Sequence, residues 1–284
     1  MSQPLIAVTG ATGHVGGLVA DQLAAKGTRL RLVVRDPGRL PAGRTGGTEV
    51  VRATYADSAE TRAALADVDV LFMVSASESE DRLAQHFGLI DAAAAAGVRQ
   101  VVYTSFLGAG PDATFTLARD HWATEEHLRG SGMAPTLLRD SFYLDFLPTM
   151  AGDDGVIRGP AGTGRVGAVA RADVARVAAT VLGDPARHAG ATYDLTGPEA
   201  LSLADVAAVV TRVTGRPTSY AEETVEEAYA SRAHYGAPAW QVDAWVSTYT
   251  AIANGELSAV TDAVRNLTGA APLSLSDLLL AARP

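Results

Sequence analysis

Apolar residues along this chain of 284 residues follow two patterns that alternate. Short apolar runs, such as Leu5–Val8 and Val68–Val74, are typical of strands that are buried on both faces of a parallel sheet. Between them lie longer segments, such as that from Val15 to Gly27, in which apolar residues recur every three or four positions and indicate helices. This alternation predicts an α/β fold built on a doubly wound parallel sheet.

The two patterns predict seven strands and a series of helices that continues to the C-terminal end. The predicted strands are Leu5–Val8, Leu30–Val34, Glu49–Ala53, Val68–Val74, Gln100–Thr104, Thr136–Arg139 and Thr192–Leu195. The predicted helices are Val15–Gly27, Ser58–Ala66, Asp81–Ala96, Leu117–Arg129, Asp173–Leu182, Leu203–Thr214, Val225–Tyr235, Ala239–Asn254 and Ala259–Leu267, with a last turn or two after Ser274. Ser202 and Thr224 each begin a capping box.

No linker separates independent domains, so we expect one structural unit over residues 1–284. A Rossmann-type core is expected at about 1–140 plus 166–197. A smaller, mainly helical C-terminal cap is expected on the substrate side, at about 141–165 plus 198–284.

Three glycines follow the first strand at intervals of three residues. Gly10 permits a tight turn, Gly13 lets backbone amides approach a pyrophosphate, and Gly16 allows the helix to pack closely on the strand. A strand, a glycine turn and a helix in this order favour a dinucleotide-binding loop over a glycine-rich turn without a ligand. Within this loop the predicted cofactor-binding residues are Gly10, Thr12, Gly13, His14 and Val15.

The residue after the second strand distinguishes the two nicotinamide cofactors. An acidic residue there binds the ribose 2′-hydroxyl group, whereas an arginine accommodates a 2′-phosphate. This chain has Arg35, with Arg39 and Arg44 as candidate helpers, and therefore favours NADP(H). Because Asp36 follows directly, NAD(H) stays open as the second cofactor.

Polar and aromatic residues follow the carboxyl ends of the other predicted strands. In a doubly wound sheet these ends line one edge, where ligands bind. The predicted cofactor-binding residues at this edge are Thr54, Tyr55, Ser75, Ala76, Ser77 and Ser105. Phe142 and Tyr143 follow the sixth strand and would form a substrate wall or lid, with Phe142 also facing the cofactor.

Composition excludes several classes of function. The net charge of −9 argues against a general affinity for nucleic acid, which needs a basic surface. The chain contains no cysteine, so a thiol nucleophile, a disulfide and a cysteine metal site are excluded, and no metal site is expected. No apolar stretch is long enough to span a bilayer, and nothing resembles a signal peptide, so we expect a cytoplasmic protein without membrane contact. A homodimer is left open.

The GxxGxxG spacing of Thr9–Gly13 onward resembles extended and atypical short-chain dehydrogenases/reductases. Eight further segments resemble the NmrA-like atypical group. They are Ala118–Leu128, Ser131–Met133, Thr136–Arg139, Ser75–Glu78, Tyr103–Ser105, Phe142–Tyr143, Arg171–Asp173 and Tyr193–Gly197. Within it the chain is most similar to bacterial NADPH-dependent quinone oxidoreductases. The resemblance covers most of the chain and is least specific in the last 65 residues or so. One departure is Thr54, since relatives commonly have an aspartate there.

The resemblance also implies where the chemistry lies. Short-chain reductases usually carry a catalytic serine, a tyrosine and a lysine, and Ser105 stands at the serine position. Leu117 and His121 fall at the tyrosine and lysine positions, so the usual proton donor is missing. We therefore predict His121, Ser105 and Tyr143 as catalytic residues. Of these, His121 and Ser105 would also contact the cofactor.

The missing acid favours a small-molecule acceptor that takes up hydride without a strong proton donor. A quinone fits, because its negative charge delocalises into an aromatic hydroquinone anion that solvent can protonate. The sequence thus predicts an NAD(P)H-dependent oxidoreductase that passes hydride to a quinone-like acceptor. A non-enzymatic NAD(P)-binding redox sensor, and a reductase or isomerase of a secondary metabolite, are the two alternatives.

Overall fold

The computed structural model describes residues 3–41, 43–44 and 48–282. Its strands are Ile6–Thr9 (β1), Leu30–Val34 (β2), Glu49–Arg52 (β3), Val70–Met73 (β4), Gln100–Phe106 (β5), Ala134–Asp140 (β6), Val156–Gly159 (β7), Arg165–Val166 (β8), Thr192–Leu195 (β9), Leu201–Ser202 (β10) and Ser219–Glu222 (β11). Its α-helices are His14–Ala25 (α1), Ala59–Ala64 (α2), Arg82–Ala95 (α3), Thr116–Gly130 (α4), Arg171–Val181 (α5), Leu203–Thr214 (α6), Val225–Arg232 (α7), Ala239–Ala253 (α8), Ala263–Thr268 (α9) and Leu275–Ala281 (α10).

A seven-stranded sheet in the order β3-β2-β1-β4-β5-β6-β9 forms the centre of the fold. The registers of its first five strands are all parallel. The strand order reverses between β1 and β4, and a doubly wound sheet binds its ligand at the carboxyl ends of the strands at such a reversal. The predicted fold class is confirmed, and the reversal places the glycine turn after β1 next to the segment that follows β4.

The contacts within the chain divide it into two compact units. The first unit comprises residues 3–41, 43–44, 48–105, 120–139 and 174–193, and the second comprises residues 106–119, 140–173 and 194–282. Each unit has its own apolar core. In the first unit Leu5, Leu71, Tyr103 and Leu128 are almost fully buried, which explains why strands β1, β4 and β5 read as continuous apolar runs.

The second unit has a core of its own around Ile157, Val166 and Ile252. It contains two small sheets, a parallel pair β7–β11 and an antiparallel pair β8–β10. The two predicted capping boxes are confirmed, because Ser202 caps α6 and Thr224 caps α7, each through a reciprocal pair of hydrogen bonds with the residue three positions later. None of the helices in the described part of the chain is both long and apolar enough to cross a membrane.

Most predicted elements lie within two residues of those observed. Strand β5 continues to Phe106, so Ser105 lies inside the strand and not after it. Helix α7 ends at Arg232 and is followed by a 3-10 turn, and strand β11 was not predicted because only Tyr220 in it is partly buried.

Helix α9 begins at Ala263, four residues later than the predicted start at Ala259. The backbone N–H of Thr261 donates to Thr196 Oγ1 at 2.8 Å, and its own hydroxyl group donates to the Asp194 carbonyl oxygen at 2.6 Å. These long-range bonds hold the segment in a non-helical conformation.

Candidate active site

The turn between β1 and α1 has the backbone that a pyrophosphate site requires. Gly10 has a φ angle of +65°, which favours glycine, and its carbonyl oxygen accepts the N–H of Gly13 at 2.8 Å. A Cβ atom on Gly16 would lie 2.4 Å from the same carbonyl oxygen. Only glycine therefore lets α1 start this close to β1, as the spacing predicts.

The N-terminus of α1 is not capped by a side chain. Its N-cap residue is Gly13, so no side-chain oxygen accepts the first amide hydrogens of the helix in the described structure. His14, the first residue of the helix, is exposed, whereas Val15 is buried, so Val15 can contact a ligand only through its backbone N–H. Free amides at a helix N-terminus suit an anion such as a phosphate.

A cavity of about 440 Å³ opens at this turn, entirely within the first unit. It is lined by Gly10, Thr12, Gly13, Val33, Val34, Arg35, Arg39, Ala53, Tyr55, Val74, Ser75, Ala76, Ser77, Glu78, Ser79 and Gln85. Eight of the predicted cofactor-binding residues are in this set. Thr54 is not in this set; its side chain is exposed, and its carbonyl oxygen accepts a hydrogen bond from the Thr61 hydroxyl group.

Two of the three candidate arginines line this cavity. The side chains of Arg35 and Arg39 are exposed there and make no hydrogen bond or ion pair with any described residue. The guanidinium group of Arg44 instead pairs with both carboxylate oxygens of Asp21, at 2.8 and 2.7 Å, and bonds the Ala11 carbonyl oxygen. Arg35 and Arg39 are thus available to an anionic ligand, whereas Arg44 secures α1.

Thr9 joins the two sides of the cavity. Its hydroxyl group donates to the Phe72 carbonyl oxygen at 3.2 Å and accepts the N–H of Val74 at 3.0 Å. The hydroxyl group of Tyr55 lies 2.6 Å from Thr9 Oγ1 and 2.5 Å from the Val74 carbonyl oxygen. Burial raises the pKa of Tyr55, so this phenol keeps its proton and serves as a fixed wall of the cavity.

The segment after β4 is held by side chains from helix α3. Ala76 donates its N–H to His86 Nε2 at 2.8 Å and accepts a hydrogen bond from Arg82 Nε at 3.0 Å. Both side chains are buried, His86 completely. Neither residue is among the predicted site residues.

His121, predicted as a catalytic residue, lies behind this wall. Its side chain is 6% exposed, with Nε2 at 2.9 Å from Arg82 Nη2 and Nδ1 at 2.9 Å from the Tyr103 hydroxyl oxygen. Burial lowers its pKa well below 6.5, and the charge of Arg82 lowers it further. A direct contact between His121 and the cofactor would have to replace one of these bonds.

Ser105 supports a buried ionic cluster. Its hydroxyl group donates to Glu125 Oε1 at 2.6 Å, and Glu125 is completely buried. The same carboxylate receives two hydrogen bonds from Arg139, at 2.8 and 2.6 Å, and one from Arg129 at 3.1 Å. This carboxylate is therefore fully paired, as a buried charge must be.

Phe142 and Tyr143 belong to the second unit. The ring of Phe142 packs edge-on against Phe106 and Phe115, with 5.1 Å between ring centroids in both cases. The hydroxyl group of Tyr143 donates to Asp140 Oδ2 at 3.0 Å. Burial raises the pKa of the Asp140 carboxyl group well above 3.8, although the bond from Tyr143 works in the opposite direction.

The second unit also contains a larger cavity of about 690 Å³. Four aromatic side chains contribute to its lining: Phe146, Tyr235, Trp245 and Tyr249. Phe146 and Tyr235 are 47% and 64% exposed, which is unusual for rings of this size. The volume and the aromatic lining suit a planar organic molecule.

Metal chemistry finds no support among the residues that the structure describes. No group of three or more histidine, aspartate or glutamate side chains in this part of the chain could hold a metal ion. The cavity after β1 and β4 is lined by backbone amides, hydroxyl groups and two arginines, together with the side chains of Glu78 and Gln85. Backbone amides at a helix N-terminus and arginines are donors that bind phosphates.

Comparison with known proteins agrees with this geometry. The NAD(P)H-binding family matches residues 10–185, which include the glycine turn and the cavity after β1 and β4. The chain is 38% identical over 204 residues to quinone oxidoreductase 2 of Escherichia coli, covering 70% of this chain and 71% of that protein. It is 36% identical over 274 residues to a (4-alkanoyl-5-oxo-2,5-dihydrofuran-3-yl)methyl phosphate reductase of Streptomyces griseus, covering 93% of each.

Solved structures show the same fold. The crystal structure of an Escherichia coli NADPH-dependent quinone oxidoreductase in complex with NADPH superposes with a TM-score of 0.88 at 33% identity, over 96% of this chain and 98% of that one. This confirms the resemblance seen in the sequence. The chain belongs to the NAD(P)H-binding family, as an oxidoreductase of the NmrA-like atypical short-chain dehydrogenase/reductase group.

Proposed function

We propose that this chain transfers hydride from NADPH to a quinone-like, electron-poor acceptor. The observation that carries the proposal is the cavity after β1 and β4, where a helix N-terminus without a side-chain cap and two arginines line the same space, neither arginine being paired with any residue that the structure describes. The similarity of the chain to a quinone oxidoreductase and to a second reductase supports an activity of this class.

The residues present fit a dinucleotide. Glycine at position 16 lets α1 start close to β1, because a Cβ atom there would collide with the Gly10 carbonyl oxygen, and a dinucleotide-binding turn needs this close packing. The amides of His14 and Val15 would bind the pyrophosphate, and Arg35, assisted by Arg39, would bind the 2′-phosphate that distinguishes NADPH from NADH. When bound, the nicotinamide supplies the hydride.

The surroundings of the remaining candidate residues are consistent with an acceptor that needs no strong acid. Burial and its partners keep His121 neutral, and Ser105 is committed to Glu125. We propose that a quinone-like acceptor is protonated by solvent after it has received hydride, and that Tyr143 helps to orient it. The bond from Tyr143 to the buried Asp140 carboxyl group would fix the phenol for that purpose.

A second candidate acceptor is an unsaturated lactone. The Streptomyces relative is named for a 5-oxo-2,5-dihydrofuran that carries an alkanoyl group. Such a ring resembles a quinone, since a carbon–carbon double bond conjugated with carbonyl groups accepts hydride and spreads the resulting charge. This observation supports the alternative of a reductase acting on a secondary metabolite.

The test is oxidation of NADPH followed at 340 nm with purified protein, with and without a small benzoquinone, beside an NADH control. We expect oxidation that depends on the acceptor and is faster with NADPH. Tight NADP binding without turnover of any quinone or unsaturated lactone would refute the proposed activity and favour a sensor. A cytoplasmic location and a homodimer remain predictions.

A further inference from the structure

We propose that Arg82 and His86 are positioning residues for cofactor binding, because together they hold Ala76 of the cavity wall by both of its backbone polar groups. The inference rests on the proposed cofactor site. His86 Nε2 accepts the N–H of Ala76 at 2.8 Å, and Arg82 Nε donates to its carbonyl oxygen at 3.0 Å. Two bonds to one residue fix the peptide planes on both sides of it.

The wall as a whole depends on side chains and not on sheet pairing. Three successive N–H groups after β4, those of Val74, Ser75 and Ala76, donate to side chains. Their acceptors are Thr9 Oγ1 at 3.0 Å, Thr104 Oγ1 at 2.8 Å and His86 Nε2. The first two acceptors belong to the strands on either side of β4, which are β1 and β5, whereas the third belongs to helix α3. Without His86, the last amide of the series loses the side chain that holds it in place.

The hydrogen-bond pattern fixes the tautomer of His86. Since Nε2 accepts a backbone N–H, the ring proton is on Nδ1, which donates to Thr124 Oγ1 at 2.8 Å. Thr124 in turn donates to the Asp120 carbonyl oxygen at 2.7 Å. Burial lowers the pKa of His86 to about 3, and the charge of Arg82 adds to this effect. The ring is therefore neutral, and Nε2 remains an acceptor, at any pH near neutrality.

Arg82, the second residue that holds Ala76, is itself held by neighbouring side chains. The guanidinium group of Arg82 is only 4% exposed and also donates to Asp120 Oδ2 at 3.1 Å and to His121 Nε2 at 2.9 Å. Because arginine has no acceptor, His121 must carry its proton on Nδ1, which then donates to the Tyr103 hydroxyl oxygen. His121 thus orients Arg82, and this contact accounts for a histidine at position 121.

The test uses two variants at one position. His86→Leu removes the acceptor for Ala76, whereas the side-chain oxygen of His86→Gln can occupy the place of Nε2. We expect His86→Leu to raise the dissociation constant for NADPH about tenfold, measured by titration calorimetry, and His86→Gln to raise it less than about threefold. The KM for the acceptor should stay the same in both variants, and hydrogen exchange should quicken in the peptide that contains Ala76.

His188→Leu is the matched control. His188 lies in the same unit, is 8% exposed and bonds the Tyr193 hydroxyl group through Nδ1 at 2.8 Å, away from the residues that line the cavity. Its loss should lower the melting temperature without changing the dissociation constant for NADPH. Should His86→Leu not fold, Thr124→Val removes the acceptor of His86 Nδ1, together with the bond from that hydroxyl group to the Asp120 carbonyl oxygen, and should weaken NADPH binding by about threefold.

The outcomes separate this inference from the proposed function. If His86→Leu lowers the melting temperature as His188→Leu does but binds NADPH like the wild type, the hold on Ala76 has no positioning role. If His86→Gln is as impaired as His86→Leu, the acceptor at Nε2 is not what matters. A wild-type protein that does not bind NADPH would instead overturn the cofactor site itself.

Discussion

The buried histidines behind the cavity wall should make the stability of this protein fall in mild acid. In the unfolded chain a histidine has a pKa of about 6.5. In the folded protein burial, assisted by the charge of Arg82, lowers the pKa of His86 to about 3. Between these two pH values the histidine binds a proton in the unfolded chain but not in the folded protein. The contribution to stability is therefore complete above pH 6.5 and is lost as the pH falls towards 3.

The size of the effect at pH 5.0 can be worked out from these values. At about 1.5 pH units below the unfolded pKa, one such histidine lowers the free energy of unfolding by about 2 kcal/mol. The result hardly depends on the folded pKa as long as that lies below about 4. His121, whose pKa is lowered well below 6.5, should contribute a similar amount. The raised pKa of Asp140 acts in the opposite direction, because the folded state then binds a proton more tightly.

The assay compares urea unfolding at pH 7.5 and pH 5.0 in the wild type and in His86→Gln. Because the contribution of Asp140 is the same in both proteins, it cancels in the comparison. We expect the difference between the two pH values to be about 2 kcal/mol smaller in the variant than in the wild type. His14→Gln, which removes an exposed histidine, is the control and should leave that difference unchanged. Equal pH dependence in the wild type and His86→Gln would refute the reasoning, because it would show that His86 binds a proton as readily in the folded protein as in the unfolded chain.

Three further predictions concern the site and its frame. Arg35→Glu should raise the KM for NADPH at least tenfold while the KM for NADH changes little, as initial rates with both cofactors would show; an equal change for both would contradict a 2′-phosphate contact. Gly16→Ala should lower the free energy of unfolding in thermal melts by about 2 kcal/mol or more, because its Cβ would lie 2.4 Å from the Gly10 carbonyl oxygen. Gly130→Ala, which has open space around it, is the control and should leave the free energy of unfolding unchanged. Glu125→Gln should cost about 3 kcal/mol in urea unfolding, since it leaves the guanidinium group of Arg139 without its buried carboxylate, and a loss below 1 kcal/mol would refute the importance of that pair.

The glycine turn could be predicted from the sequence because its causes are local. The positive φ angle of Gly10 and the close approach at Gly16 involve residues that are adjacent or six positions apart. The positions of Arg35 and of Ser75–Ser77 followed from a general rule, since each comes directly after a strand of the predicted sheet. For these residues, the pattern of strands determines the place in the fold.

The roles of the histidines could not be predicted in the same way. His86 is ten positions from Ala76 and 38 positions from Thr124, and nothing in the pattern of helix α3 shows that the ring turns inward towards both. His121 was predicted at the cavity because its position in the sequence matches a ligand-binding lysine. The structure shows its two ring nitrogens bonded to Arg82 and Tyr103. Whether a histidine side chain points into the core or towards a ligand depends on tertiary contacts.

Strand β11 shows a different limit. Its side chains are mostly exposed, so it lacks the apolar alternation from which strands are recognised. What holds it is its backbone pairing with β7 and the bond from the Tyr220 hydroxyl group to the Gly159 carbonyl oxygen at 2.7 Å. A strand that is stabilised by pairing and not by burial leaves little trace in the sequence.

The hydrogen bonds around the Thr9 hydroxyl group have a consequence for the rate of cofactor exchange. One hydroxyl group connects the end of β1 with the end of β4, and the Tyr55 hydroxyl group bonds to it. Because these bonds fix the cavity wall in the described part of the chain, we expect the observed rate constant for NADPH binding to rise linearly with its concentration and show no plateau. Differences in affinity between NADPH and NADH should then appear in the rate at which each dissociates.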